Sequence, residues 1–315
     1  MKFGIMASGQ MPEGLPDPGV FREIAAAAEG LGYDSLWCGD HLSFGNPVLE
    51  ATVAVSAFAG YTTTITIGTG VLLLPLRPAA LVAKQMASLD YLCGGRLICG
   101  VGVGGESQKD FDMVDVPRRE RGVRTEEGIR VLRTLWAGTE ASFSGRFNEF
   151  TEVRLDPPPV TPGGPPIWVG ARADAALARA GRLTDGWMGY MVSPGRYAKN
   201  LAKVRGHAID AGRDPQAITP ALMIPTRVGH DGAEARAGLR RHLSKRYHAE
   251  FSAGYVDAVC LAGSPDEVSR RVAEYAAAGV RHLIFLYGGQ PVEAVDQFTM
   301  LHEAVVAPRT IPAET

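Results

Sequence analysis

Short apolar runs alternate with longer, alanine-rich amphipathic segments along almost the whole chain. Lys2–Met6, Ser35–Cys38, Thr64–Leu73, Leu97–Val101, Ile167–Gly170, Gly186–Tyr190, Ala221–Val228 and His282–Tyr287 read as buried strands. The intervening periodicity predicts helices over Pro18–Glu29, Pro47–Ala59, Pro78–Leu92, Thr125–Trp136, Asp174–Leu183, Pro194–Ala211 and Val292–Val306. Asp17 before Pro18 is a helix start, and Ser264-Pro265-Asp266-Glu267 is a capping box opening a helix that stops at Gly279. Eight strand–helix units favour a closed (β/α)8 TIM barrel over an open doubly wound sheet.

Two stretches break the rhythm. Ala141–Phe143 and Phe150–Arg154 flank Gly145 and predict a hairpin inserted near 140–156. A helical insertion near 230–262, with Ala233–Phe251 at its centre, falls between the seventh strand and its helix. That is the active-site end of a barrel, so the insertion is a candidate lid or substrate wall. The expected organisation is one barrel domain over residues 1–315.

Charge narrows the function classes. There are 32 Lys and Arg against 34 Asp and Glu, a net charge of -2. The basic run Arg236–Arg246 is flanked by acidic residues and reads as a solvated helix face, so no nucleic-acid partner is expected. Ala51–Leu76 carries no charge, yet threonines, glycines and Pro75 interrupt it, and no membrane span is expected. No leader peptide is expected at the amino end. Four scattered cysteines lack metal-site spacing and predict free thiols in a reducing cytoplasm, with no metal.

Candidate chemistry clusters at strand ends. Asp40-His41 follows Gly39 at the end of the second strand. The pair could cap a turn, bind a metal with Glu50, or act as a general acid/base at the barrel mouth. Gly100–Gly105 satisfies G-x-G-x-x-G, but a polar loop with Glu106, Lys109, Asp110 and Asp112 follows where a dinucleotide site needs a helix. Glycines there would instead let a flat ring approach the backbone. Ile167–Arg172 before the helix at Asp174 is either a plain turn or a phosphate site using a helix N-terminus and Arg172. Glu106 is a second acid/base candidate or a solvated loop residue.

Gly32–His41, Ile65–Leu74, Leu89–Arg96 leading into Gly100–Gly105, Pro165–Gly170 and Asp185–Trp187 together resemble the luciferase-like flavin and deazaflavin oxidoreductases. The resemblance spans most of the chain and implies a barrel with insertions and a cofactor in its C-terminal mouth. The Asp-His pair is similar to the branch that uses coenzyme F420, with FMN the alternative cofactor. It implies that His41 is the catalytic acid/base and that Asp40 orients it or touches the cofactor. It also implies a cis peptide at Gly70-Val71 against the ring, ring contacts from Gly104 and Gly105, a carboxylate from Glu106, and phosphate contacts from Arg172 and Ala173. Members acting on sugar phosphates carry a tryptophan where this chain has Phe44-Gly45-Asn46. A small organic substrate is therefore expected, against an apolar wall of Met11, Phe44, Met191 and Tyr247. A homodimer is expected from the resemblance, and a non-redox barrel acting on a phosphorylated substrate is the reading from another class.

Overall fold

The computed structural model describes residues 1–308; residues 309–315 of the expected domain lie outside the described residues. Eight strands form the barrel: β1 (Lys2–Ser8), β2 (Ser35–Cys38), β3 (Thr66–Thr69), β4 (Leu97–Gly102), β5 (Ile167–Gly170), β6 (Gly186–Tyr190), β7 (Thr219–Val228) and β8 (His282–Tyr287). Each pairs in parallel with the next in order, and β8 returns to β1 through pairs such as Phe3 with Leu283, which closes the ring. The protein is thus a (β/α)8 barrel. Every residue of β2, β4 and β8 is buried. That is why these strands read as unbroken apolar runs: helices cover one face and the barrel interior covers the other.

Two apolar layers result. The larger lies between strands and helices and includes Leu36, Phe58, Val82, Leu132 and Phe285. The smaller fills the barrel with Met6, Trp37, Ile98, Trp168, Met188, Met223 and Ile284, with Val71 and Tyr190 packed against it. One polar knot interrupts that interior. Trp37 Nε1 donates to Ser35 Oγ at 2.7 Å, and Ser35 Oγ lies 2.6 Å from His282 Nε2. Both residues head their strands, so the knot forms the barrel floor. Burial lowers the His282 pKa to about 3, helped by the charges of Lys2 and the amino terminus.

The element boundaries differ from expectation where a side chain or a backbone irregularity intervenes. The third apolar run is split: β3 stops at Thr69, Gly70-Val71 is cis, and Leu72–Leu73 then pairs with β4. The helix expected from Pro47 starts at Ala51, because the Glu50 carboxylate accepts from Val53 N–H at 2.9 Å. The charged stretch after Gly105 contains a short helix, Gln108–Asp112. The insertion after β7 is two helices, Gly232–Tyr247 and Ala253–Val259, separated where His248 takes a left-handed conformation with φ 50. A short strand, Leu261–Gly263, then lies beside Thr226–Val228 of β7. Ala141–Ser144 and Glu149–Val153 form the antiparallel hairpin, with Phe143 and Phe150 stacked across it. The capping box at Ser264 and Glu267 is present. Cys38, Cys93, Cys99 and Cys260 are buried free thiols. Among the described residues, no helix is long and apolar enough to cross a membrane.

Candidate active site at the barrel mouth

Adjacent residues at the end of β2 take opposite directions. Asp40 turns into the protein and its side chain has no exposure. Its Oδ2 accepts from Leu73 N–H at 2.9 Å and from Arg77 Nη1 at 2.8 Å. Its Oδ1 accepts from Arg77 Nη2 at 2.9 Å and from Ala51 N–H at 3.3 Å. Arg77 also reaches Glu50 at 2.7 Å. Burial works against the Arg77 charge, but the two carboxylates outweigh it and hold its pKa above the ordinary value. This bidentate pair ties together the end of β2, the irregular backbone after β3 and the first turn of Ala51–Tyr61. The expectation that Asp40 orients His41 or touches a cofactor is therefore corrected: both oxygens are engaged in the scaffold. The metal reading of Asp40, His41 and Glu50 fails for the same reason, since two of the three carry Arg77.

The carboxylate behind His41 belongs to Asp110. His41 Nδ1 lies 2.8 Å from Asp110 Oδ2, and Asp110 Oδ1 accepts from Leu42 and Ser43 N–H, each at 2.8 Å. Burial pushes the Asp110 pKa up, but the His41 hydrogen bond and the two N–H donors pull harder and hold it below the ordinary carboxylate range. An ionised carboxylate only accepts, so His41 Nδ1 carries a proton and the lone pair of the neutral ring is on Nε2. Nε2 faces Glu106, whose Oε2 is 3.8 Å away and whose side chain is 40% exposed. The Phe44 ring packs 4.5 Å from the imidazole, whose side chain is 11% exposed. The result is an imidazole fixed from behind with one nitrogen open to the mouth, the arrangement a proton carrier needs.

The glycines of β4 have another use than the expected one. A Cβ at Gly100 would lie 1.9 Å from Thr69 O, and one at Gly102 would lie 2.4 Å from Val71 Cγ2. Gly170 of β5 faces Val71 as well. These positions make room for the irregular end of β3: Gly100 admits the Thr69 carbonyl, and Gly102 and Gly170 admit Val71. Gly104 and Gly105, at positive φ, carry the chain from β4 to Glu106, with Leu73, Phe111 and Arg121 close by. Arg172 is exposed, stands 5.7 Å over the Tyr190 ring, and makes no ion pair with any described residue. Ala173 holds the N-cap position of Asp174–Leu183 without any side-chain cap. An exposed guanidinium beside an uncapped helix start fits the phosphate of a flavin or deazaflavin.

His41, Gly70-Val71, Gly104–Glu106 and Arg172 thus follow the C-terminal ends of four neighbouring strands, β2 to β5, at one end of the barrel. Sequence reasoning missed two participants. Arg77 had a signal, since it is the one charged residue between Glu50 and Lys84 and needed a buried partner. Asp110 had none, being one acid among several in a polar loop.

Three known proteins are similar to this chain, the first in sequence and the other two in structure. The phthiodiolone/phenolphthiodiolone dimycocerosates ketoreductase of Mycobacterium tuberculosis is 28% identical over an alignment 360 positions long, gaps included, that covers 91% of this chain and 92% of the ketoreductase. A solved F420-dependent secondary alcohol dehydrogenase, in complex with an F420–acetone adduct, matches with TM-score 0.85 at 21% identity, covering 96% of this chain and 98% of that one. The oxygenating constituent of 3,6-diketocamphane monooxygenase from Pseudomonas putida, in complex with FMN, matches with TM-score 0.79 at 17% identity, covering 99% of both chains. Residues 1–282 match the luciferase-like monooxygenase family, and the chain belongs to that family.

Proposed function

We propose that this protein is an F420-dependent oxidoreductase that moves a hydride between the deazaflavin and the carbonyl or carbinol carbon of a small organic substrate. The observation that carries the reading is the His41–Asp110 pair, with Nε2 open to the mouth beside Glu106. A bound deazaflavin supplies or accepts two electrons and a proton together as hydride. The chain must then manage one further proton. In the reducing direction His41 Nε2 would give it to the substrate oxygen as the carbonyl carbon gains hydride; in the oxidising direction it would take that proton back. Asp110 stabilises the protonated ring and keeps it from rotating. Arg172 and the N–H groups at Ala173–Asp174 would hold the phosphate.

Two relatives support the substrate chemistry in the words of their names, a ketoreductase and a secondary alcohol dehydrogenase. The FMN-bound neighbour makes FMN the competing cofactor. Titrating the purified protein with F420 and with FMN, followed by absorbance and calorimetry, tests the reading. Micromolar F420 binding with weaker FMN binding is expected. FMN binding alone would replace it with a flavin monooxygenase, and binding of neither would point to a non-redox barrel.

A further inference from the structure

A second feature of the mouth lies between the loop after β1, the helix Gly232–Tyr247 and the end of β8. A small cleft of about 50 Å³, partly open to solvent, is lined there by Gln10, Met11, Phe21, His242, Arg246 and Leu286. Three buried polar atoms of residues that line it find no hydrogen-bond partner among the described residues: Gln10 Oε1, His242 Nδ1 and Arg246 Nε. Gln10 is 6% exposed and His242 7%. Each such group left unpaired costs about 1–3 kcal/mol, and three around one cleft mark a place built to meet a polar ligand.

The charges around the cleft give the sign of that ligand. Arg246 makes no ion pair with any described residue. Glu13, the carboxylate in the lining, is held by Lys245 at 2.7 Å. Burial first, and then the charges of Arg246, Arg227 and Lys245 against that of Glu13, lower the His242 pKa to about 4, so the site is cationic and the imidazole in it is neutral. Met11, Phe21, Leu286 and Phe298 supply apolar walls for a carbon skeleton. The cleft is linked to the barrel mouth through Met6 and Arg246. Met6 lines it and packs in the barrel interior beneath Gly70. The Arg246 charge feels Glu106, which stands 3.8 Å from His41.

We propose that this cleft holds the carboxylate of an organic-acid substrate, with Arg246 as the specificity-determining cation and Gln10 and His242 completing its hydrogen bonds. The inference rests on the reading of the barrel mouth as the substrate site. Arg246 Nε donates to one carboxylate oxygen. The Gln10 amide, whose nitrogen and oxygen exchange places by a half-turn, donates to the other. The apolar remainder of the acid extends toward His41. The anionic tail of a cofactor shares this chemistry, and the test separates the two sources.

Isothermal titration of the protein without cofactor, using benzoate and hexanoate against benzamide and hexanamide, reads the preference directly. The acids are expected to bind at least about tenfold more tightly than their amides, the scale of a charge-assisted hydrogen bond. Arg246→Gln and, separately, Gln10→Leu should each weaken acid binding about tenfold while leaving amide binding in place and without lowering the unfolding midpoint. The Gln10 variant keeps the test decisive if the Arg246 variant misfolds. F420 titrated into the same variants should bind as it does to the unaltered protein. Equal binding of acids and amides, or binding of none of the four, overturns the proposal. So does a tenfold loss of F420 affinity in Arg246→Gln, which would assign the cation to the cofactor's tail. If the acids bind and F420 does not, the cofactor reading falls and this one stands.

Discussion

The barrel contains two histidines at opposite ends, and the contrast between them separates scaffold from chemistry. His282 on the floor is sealed among Trp37, Trp168 and Ser35, with no carboxylate on its ring. Its charged form is penalised and it stays neutral. His41 at the mouth has the ionised Asp110 behind it and solvent access in front. The same side chain is thereby a packed hydrogen-bonding group at one end and, in the proposed function, a proton carrier at the other. What differs is a partner and an opening, and both are set by strand direction: the ends of parallel strands that carry loops can recruit Asp110, and the floor cannot.

The largest effect should come from a residue next to the chemistry that takes no part in it. Asp40→Ala leaves Arg77 buried beside Glu50 alone, and a loss of about 3–5 kcal/mol in urea unfolding is expected. If stability is unchanged while turnover collapses, Asp40 belongs to the reaction and the division drawn here is misplaced. His41→Ala should do the converse. Turnover should fall about a hundredfold or more, while circular dichroism and cofactor affinity stay those of the parent. Full activity in that variant removes His41 from the mechanism.

On the floor, His282→Ala should cost about 2–3 kcal/mol through the cavity and the lost Ser35 hydrogen bond, with the turnover of the remaining folded protein intact. A selective loss of turnover would mean that the two ends are coupled. The smallest effect is a slope. His282 and His242 take up protons near pH 6.5 when unfolded, but only near 3 and 4 when folded. Between those values the unfolded chain holds more protons, so stability falls as pH drops below about 6.5. Each histidine contributes up to about 1.4 kcal/mol per pH unit. Urea midpoints measured from pH 7.5 to 5 check this, and His282→Ala should flatten the curve by one histidine's share.

Much of this was legible in the chain because strands buried on both faces leave continuous apolar runs, and all eight appeared as such. Glycine after Cys38 marked where β2 hands over to the mouth, and so pointed to His41. The partner assignments were not legible. Asp110 is 69 positions from His41, and nothing local distinguishes it from Asp112 or Asp115. Asp40 stands beside His41 in sequence, but the chain at a strand end sends neighbouring side chains to opposite sides, so adjacency there argues against contact. The glycine run of β4 announced close approach, and within the chain Gly100 meets the Thr69 carbonyl and Gly102 meets Val71.

The segment after His41 does not stand alone. Asn46 Nδ2 donates to the carbonyl of Arg246 at 2.8 Å, and a Cβ at Gly45 would lie 2.3 Å from His248 Nε2. The insertion after β7 and the three residues Phe44-Gly45-Asn46 are therefore a matched set, fitted to each other across about 200 positions of sequence. Anyone grafting residues 232–263 from another family member would have to transplant residues 44–46 as well, or the new insertion would arrive without the latch that seats it beside His41.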